Sequence, residues 1–245
     1  MNYLIVGASA GLGRSLSRKL GSEGNNLILL ATDDRDLQSI SSDIMIRYQV
    51  KVETLSADLS VHTGFLDDLE KIINVMGGID GIFFPIGAIN PDDSIPSDLT
   101  VLNQMTNVNY ISVVSVIMRF WDLLVRRTHQ TVIVGFGSVA SIRGRNSNVC
   151  YSAAKRSLLS FFESLRHAGA STNVLVQFYI LGYLDTNLAF GKRTLFPRSN
   201  TETLSRRIFE NLQKDFGVTY YPRYWYLINL VLKIVPWTIF KRLTF

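Results

Sequence analysis

A chain of 245 residues is long enough for one large α/β domain with a sizeable core. Its 47% hydrophobic and 18% charged residues exclude a disordered or low-complexity protein. The net charge of +5 suits an anionic ligand or surface, but no Lys/Arg run exceeds two residues and no zinc-finger or aromatic RNA-binding pattern occurs, so nucleic acid is not an expected partner.

In chain order, Tyr3–Val6 is a short apolar run ending in a glycine loop, and a helical pattern follows from Leu12 to Leu20. A charged segment with an apolar core does not precede it, so no secretory signal is expected. Leu27–Leu30 reads as a second strand, Asp34–Tyr48 as a polar helix and Val50–Leu55 as a third strand. A helix over Thr63–Val75 then leads into a fourth strand, Ile79–Phe84. Leu99–Arg126 reads as two successive helices and Thr131–Phe136 as a fifth strand. Tyr151–His167 is a helix, Val174–Ile180 a sixth strand and Val218–Tyr221 a seventh. Continuous apolar strands alternating with helices predict an α/β fold: a single-domain, doubly wound parallel sheet of about seven strands with helices on both faces.

Cys150 is the only cysteine, so no intrachain disulfide can form, and a reducing cytoplasm fits. His62, His129 and His167 are too scattered in sequence to suggest a ligand pair, and no metal is expected.

Gly7-Ala8-Ser9-Ala10-Gly11-Leu12-Gly13 occupies the turn from the first strand to the first helix. Glycines there allow a tight turn and close approach of a pyrophosphate to the backbone and helix N-terminus. A structural glycine-rich turn would look the same, and the spacing G-x-x-x-G-x-G is not the commoner G-x-G-x-x-G. Asp58, in Ala57-Asp58-Leu59 at the end of the third strand, is placed to accept from an adenine amino group, or simply to cap the next helix.

Tyr151 and Lys155 stand four residues apart, hence on one helix face. A nearby ammonium stabilises a phenolate and lowers the phenol pKa, which is tuning for general acid/base work on an alcohol or carbonyl. Alone, such a pair is commonplace surface decoration. Ser138, just past the fifth strand, adds a hydroxyl for a substrate oxygen. Asn109, polar within an apolar stretch, needs a buried partner or bends its helix.

Taken together, Gly7, Gly11, Gly13, Asp58, Asn109, Ser138, Tyr151 and Lys155 resemble the short-chain dehydrogenase/reductase family in order and spacing, over about residues 1–190. The resemblance implies a nicotinamide-dependent oxidoreductase, in which Tyr151 transfers the hydroxyl proton and Ser138 orients the substrate oxygen. It implies that Lys155 bonds the nicotinamide ribose and holds the tyrosine pKa down, that Asn109 positions a relay water, and that Thr186 holds the carboxamide. Cofactor contacts are expected at Gly7, Ser9, Gly11, Leu12, Gly13, Asp58, Leu59, Gly87, Tyr151, Lys155 and Thr186. The chain departs from the family where Asn-Asn-Ala-Gly becomes Phe84-Pro85-Ile86-Gly87, and where Pro-Gly becomes Leu181-Gly182.

The second strand leads into Ala31 and Thr32, without an acid for a ribose 2′-OH; this favours NADP over NAD, with Arg14 and Arg35 the nearest candidate arginines. The C-terminal segment 222–245 is aromatic and basic. Its apolar stretch of about sixteen residues, with Lys233 and Pro236 inside, is shorter than the roughly twenty needed to span a bilayer. It reads as a short helix suited either to a membrane surface or to packing on the domain or a second subunit.

Arg143-Gly144-Arg145-Asn146-Ser147-Asn148 and this tail also resemble reductases acting on polyprenyl-phosphate-linked keto sugars, the decaprenylphosphoryl-ribose 2′-epimerase reductase subunits among them. That resemblance implies a small-molecule or lipid-linked sugar substrate, and the family at large implies a homo-oligomer. The expected setting is cytoplasmic, peripheral to the inner membrane face if the tail touches lipid. The alternatives are a broad-specificity ketone/alcohol reductase and a non-catalytic dinucleotide-binding scaffold.

Overall fold

The computed structural model describes residues 1–61, 64–186 and 196–242. Seven parallel strands form one sheet: β1 (Asn2–Val6), β2 (Asn26–Ala31), β3 (Val52–Ser56), β4 (Gly81–Phe84), β5 (Thr131–Ser138), β6 (Val174–Leu181) and β7 (Val218–Tyr221). Their spatial order is β3-β2-β1-β4-β5-β6-β7. The crossover direction reverses between β1 and β4, and such a switch point opens a crevice at the carboxyl ends of the strands.

The inner strands are largely apolar because both faces are covered, whereas the edge strands β3 and β7 carry polar residues. Leu4, Val6, Ile28, Leu30, Ile82 and Phe84 point to one core, which is closed by α3 (Phe65–Val75), α5 (Ser112–Val125) and α6 (Val149–Gly169). Tyr3, Ile5, Leu27, Leu29 and Phe83 point to the other, closed by α1 (Gly11–Ser22), α2 (Asp34–Tyr48) and α7 (Thr201–Glu210). The strand period of two thus fills both layers.

Several boundaries differ from the sequence reading. Gln49 adopts the left-handed conformation (φ 55°) and ends α2, which moves the start of β3 to Val52. Asp80 is spent holding Asn2, so β4 begins at Gly81. Thr63, the expected start of the third helix, lies outside the described residues, and α3 runs from Phe65. Helix α7 is absent from the sequence reading; Asn200 caps it by accepting from Glu202 and Thr203 N–H, and Leu204 and Ile208 carry it onto the second core.

The long helical region is α4 (Leu99–Thr106) and α5 joined by a π-helical turn, Asn107–Ile111, with Asn109 at its centre. By length and apolarity residues 99–125 would suffice to cross a membrane, but Val113, Val116, Ile117, Phe120 and Leu124 are buried against the sheet. The tail forms two helices, α8 (Tyr224–Ile234) and α9 (Trp237–Phe240), broken at Val235-Pro236 because proline cannot continue the ladder.

Candidate active site

A cleft of about 860 Å³ opens at the switch point. One end is the glycine loop. Gly7 has φ +97°, and a Cβ there would come within 2.7 Å of the Ile86 backbone; Gly11 has φ +48° and sits against the Thr186 side chain. Gly13 lies beneath the loop, where any Cβ would collide with the Gly7 carbonyl. The N-cap of α1 is Ala10, with no side-chain cap and no acid in the first turn. Backbone N–H groups at a helix start are thereby left for an anion, so these residues fit a dinucleotide pyrophosphate.

Ser9, Leu12, Asp58, Leu59, Gly87 and Thr186 line the same cleft. The Asp58 carboxylate accepts the Ser60 N–H at 2.8 Å, a bond that holds its pKa below the usual carboxylate value. It therefore caps its own turn while facing the cleft. At the end of β2 the lining residues are Ala31, Thr32 and Asp33. Asp33, an acid the sequence reading did not weigh, caps α2 by accepting the Asp36 N–H at 2.9 Å. Neither Arg14 nor Arg35 lines the cleft; Arg14 braces the glycine loop, donating to the Ser9 carbonyl at 2.7 Å and to Asp36 at 3.1 Å.

At the other end Ser138, Tyr151 and Lys155 converge. Ser138 closes β5 and accepts the Ala140 N–H, and its hydroxyl bonds the Tyr151 phenol. Helix α6, which carries Tyr151 and Lys155, packs close to β5 because Gly135 leaves room for Phe162; a Cβ there would lie within 2.7 Å of Phe178 as well. Lys155 is buried and donates to the carbonyls of Ile86 at 3.0 Å and Phe136 at 3.3 Å. Burial lowers its pKa to about 8.

Burial also pushes the Tyr151 phenol above its usual value, against the hydrogen bond from Ser138. The sequence expectation of a phenol lowered by Lys155 is not what the protein alone shows: desolvation outweighs the other influences on Tyr151, and the two Lys155 bonds run to backbone carbonyls.

Asn109 is fully buried and does not line the cleft. Its amide accepts the Ala88 N–H at 3.1 Å and donates to the Ala88 and Met105 carbonyls at 3.0 and 2.9 Å. Gly87 lies between Asn109 and Lys155, within ordinary contact of both for any Cβ. The loop after β4 is therefore held through its backbone, by Lys155 at Ile86 and by Asn109 at Ala88. Phe84-Pro85-Ile86-Gly87 provides that backbone without the family's asparagines. Gly182, the glycine kept from the family's Pro-Gly, makes room for the Trp225 indole, whose ring nitrogen any Cβ would strike.

Sequence reasoning missed Asp93, which is 2% exposed. Its carbonyl accepts the N–H of Asn148 at 2.7 Å and Val149 at 3.4 Å, and its carboxylate that of Cys150 at 2.7 Å and Tyr151 at 2.9 Å. One residue thus satisfies the successive N–H groups at the start of α6, whose own N-cap, Asn148, offers no side-chain bond. Arg145, Ser147, Asn148 and Tyr183 also line the substrate end and were not singled out as site residues.

The family model for short chain dehydrogenases matches residues 2–194. The chain belongs to the short chain dehydrogenase family. NAD(P)-dependent oxidoreduction is the activity of this family. Among its relatives, the 3-oxoacyl-[acyl-carrier-protein] reductase of Aquifex aeolicus is 25% identical over 185 residues, 76% of this chain and 74% of the relative. The very-long-chain 3-oxoacyl-CoA reductase of Podospora anserina is 24% identical over 247 residues, 96% and 71% of the two chains. A short-chain dehydrogenase from Sphingobium yanoikuyae, solved in complex with NADPH, superposes with a TM-score of 0.79 at 20% identity, covering 96% of each chain.

Proposed function

We propose that this short chain dehydrogenase reduces a ketone to a secondary alcohol, with Tyr151 as the proton donor. The convergence of Ser138, Tyr151 and Lys155 at one end of a cleft that begins at the glycine loop carries this reading. The nicotinamide, when bound, supplies the hydride. Tyr151 gives its proton to the substrate oxygen; the burial that keeps the phenol protonated suits a donor. Ser138 orients that oxygen through the hydroxyl it shares with the phenol. The Lys155 charge favours the phenolate left behind. Asn109 acts through Ala88, which it holds in place, and Thr186 stands beside Gly11 to meet the carboxamide. Tyr151→Phe is expected to abolish ketone-dependent NADPH oxidation while leaving NADPH binding near the wild-type level; unchanged turnover would overturn the assignment.

NADP is the proposed cofactor. Ala31 supplies no carboxylate at the end of β2 to repel a 2′-phosphate, the Asp33 carboxylate two residues on is engaged in capping α2, and the superposable Sphingobium enzyme was solved with NADPH. Direct competition of NADPH and NADH for the protein decides the preference.

The substrate proposed is a keto sugar, lipid-linked and made at the cytoplasmic face of the membrane. Arg145, Ser147 and Asn148 give the substrate end polar groups for a hydroxylated ligand. Reduction of a 3-oxoacyl thioester is the second reading, favoured by the 3-oxoacyl reductases among the relatives and by Ile89, Val108 and Leu184 in the cleft wall. Relative kcat/KM on the two substrate classes separates them. A homo-oligomer is also proposed, supported by exposed Leu99, Leu102, Ile111 and Met118 along α4, the π-turn and α5.

A further inference from the structure

We propose that the outward face of α8 and α9 docks on an anionic membrane surface. Helix α8 carries a second apolar stripe on the side turned away from the domain. Tyr226, Leu227, Leu230, Val231 and Ile234 recur at helical spacing and are 45 to 80% exposed. The inner side has its own packing residues, the buried Trp225 and Asn229 with the half-buried Ile228 and Leu232. A surface helix normally turns its aliphatic stripe to the core, so this stripe serves something outside the described chain. Trp237 and Ile239, 65% and 55% exposed, extend it through α9.

The charges around the stripe choose the occupant. Arg223 stands at its start, Lys233 within it and Lys241 and Arg242 at its end, all exposed. No aspartate or glutamate follows Asp215 in the sequence. Aliphatic residues and an exposed tryptophan ringed by cations match the boundary of an anionic bilayer. A second copy is the poorer match. Two such faces placed parallel or antiparallel would oppose cation to cation, with no carboxylate from either segment to offset the repulsion. Helix α8, about 16 Å long, is too short to span the roughly 30 Å hydrocarbon layer, so it lies in the surface plane.

The docked face is coupled to the cleft. Arg143, which precedes the cleft-lining Arg145, donates to the Leu232 and Val235 carbonyls at 2.9 and 2.5 Å and stacks on Phe240 at 4.0 Å. It closes the end of α8 as a helix-terminal cation does. On the inner side Trp225 packs edge-on against Tyr183, a cleft-lining residue, at 5.6 Å. The bilayer would then lie about one helix diameter, ~10 Å, from the cleft wall. This placement rests on the proposed lipid-linked ketone only for its purpose; vesicle binding is read without turnover, so either can fail alone.

The test uses the full-length protein and flotation with two vesicle types, phosphatidylcholine alone and phosphatidylcholine rich in phosphatidylglycerol. Binding to the anionic vesicles, weakened by salt, is expected. The triple variant Leu230→Glu, Ile234→Glu, Trp237→Glu alters only exposed side chains; it is expected to lose at least about tenfold in vesicle affinity and to keep wild-type NADPH oxidation with a water-soluble ketone. Equal binding of the variant, or no binding by the wild type, would overturn the proposal. So would a wild-type dimer that the variant breaks in the absence of vesicle binding, since the face would then belong to a second copy.

Discussion

The Asp93 carboxylate receives the backbone N–H of Tyr151 at 2.9 Å, although the two residues are 58 positions apart in sequence. The proton donor proposed here is thereby anchored at its own main chain by a loop from another part of the sheet. Asp93→Ala removes both side-chain bonds to α6 and is expected to lower kcat by about ten- to a hundredfold, as small displacements of a reacting group do, with the NADPH KM little changed. Asp93→Asn removes the charge. A carboxylate beside a helix start opposes the phenolate, so its loss is expected to shift the pH profile of kcat toward lower pH. A purely structural contact would lower stability and leave that profile in place.

Fully buried, Asn109 makes three bonds to backbone groups. Asn109→Ala leaves the Ala88 and Met105 groups without their partner, at about 1–3 kcal/mol for each one that stays dry. Urea denaturation is expected to show a lower midpoint, and kcat is expected to fall with it, because the same loop meets Lys155 at Ile86.

Lys155 titrates near pH 8 in the protein alone because burial disfavours its charge. An anionic dinucleotide beside it favours the charged form, so binding takes up a proton in this range. NADPH affinity is therefore expected to fall as pH rises through 8, and calorimetry in buffers of different ionisation enthalpy is expected to show proton uptake. The stability linkage runs the other way. Between pH 8 and the usual lysine value the unfolded chain holds more protons, so folding at this residue gains as pH rises.

Ala31→Asp places a carboxylate at the end of β2, where the cleft begins. The expected result is weaker NADPH binding and a shift of preference toward NADH, measured as the ratio of the two affinities. A ratio that does not move would locate the 2′ group elsewhere in the cleft.

Much of the fold was legible because strand and helix periods are strong signals. Leu27–Leu30 is an unbroken apolar run and Val174–Ile180 is broken only by Gln177, and each lies inside an internal strand of the sheet. Helix α7 was harder to see, because its apolar face rests on Leu204, Ile208 and the half-buried Phe209 among polar neighbours. The glycine loop, Ser138, Tyr151 and Lys155 announce themselves by local spacing. Asp93 does not: its partners are backbone N–H groups, which every sequence possesses, and only the fold brings them to it. The direction of the Tyr151 pKa was equally hidden, since spacing shows a nearby cation but not the loss of water around the phenol.

The loop from Phe84 to Ala88 holds its neighbours with main-chain atoms: the Ile86 carbonyl for Lys155, and both polar groups of Ala88 for Asn109. Peptide groups are common to all residues, so the identity of the side chains at 85 and 86 is free to drift while the path of the chain is not. Natural variants are therefore expected to differ in residue type here yet to keep loop length. A single inserted residue would unfasten two anchors at once, a greater injury than any exchange of side chains.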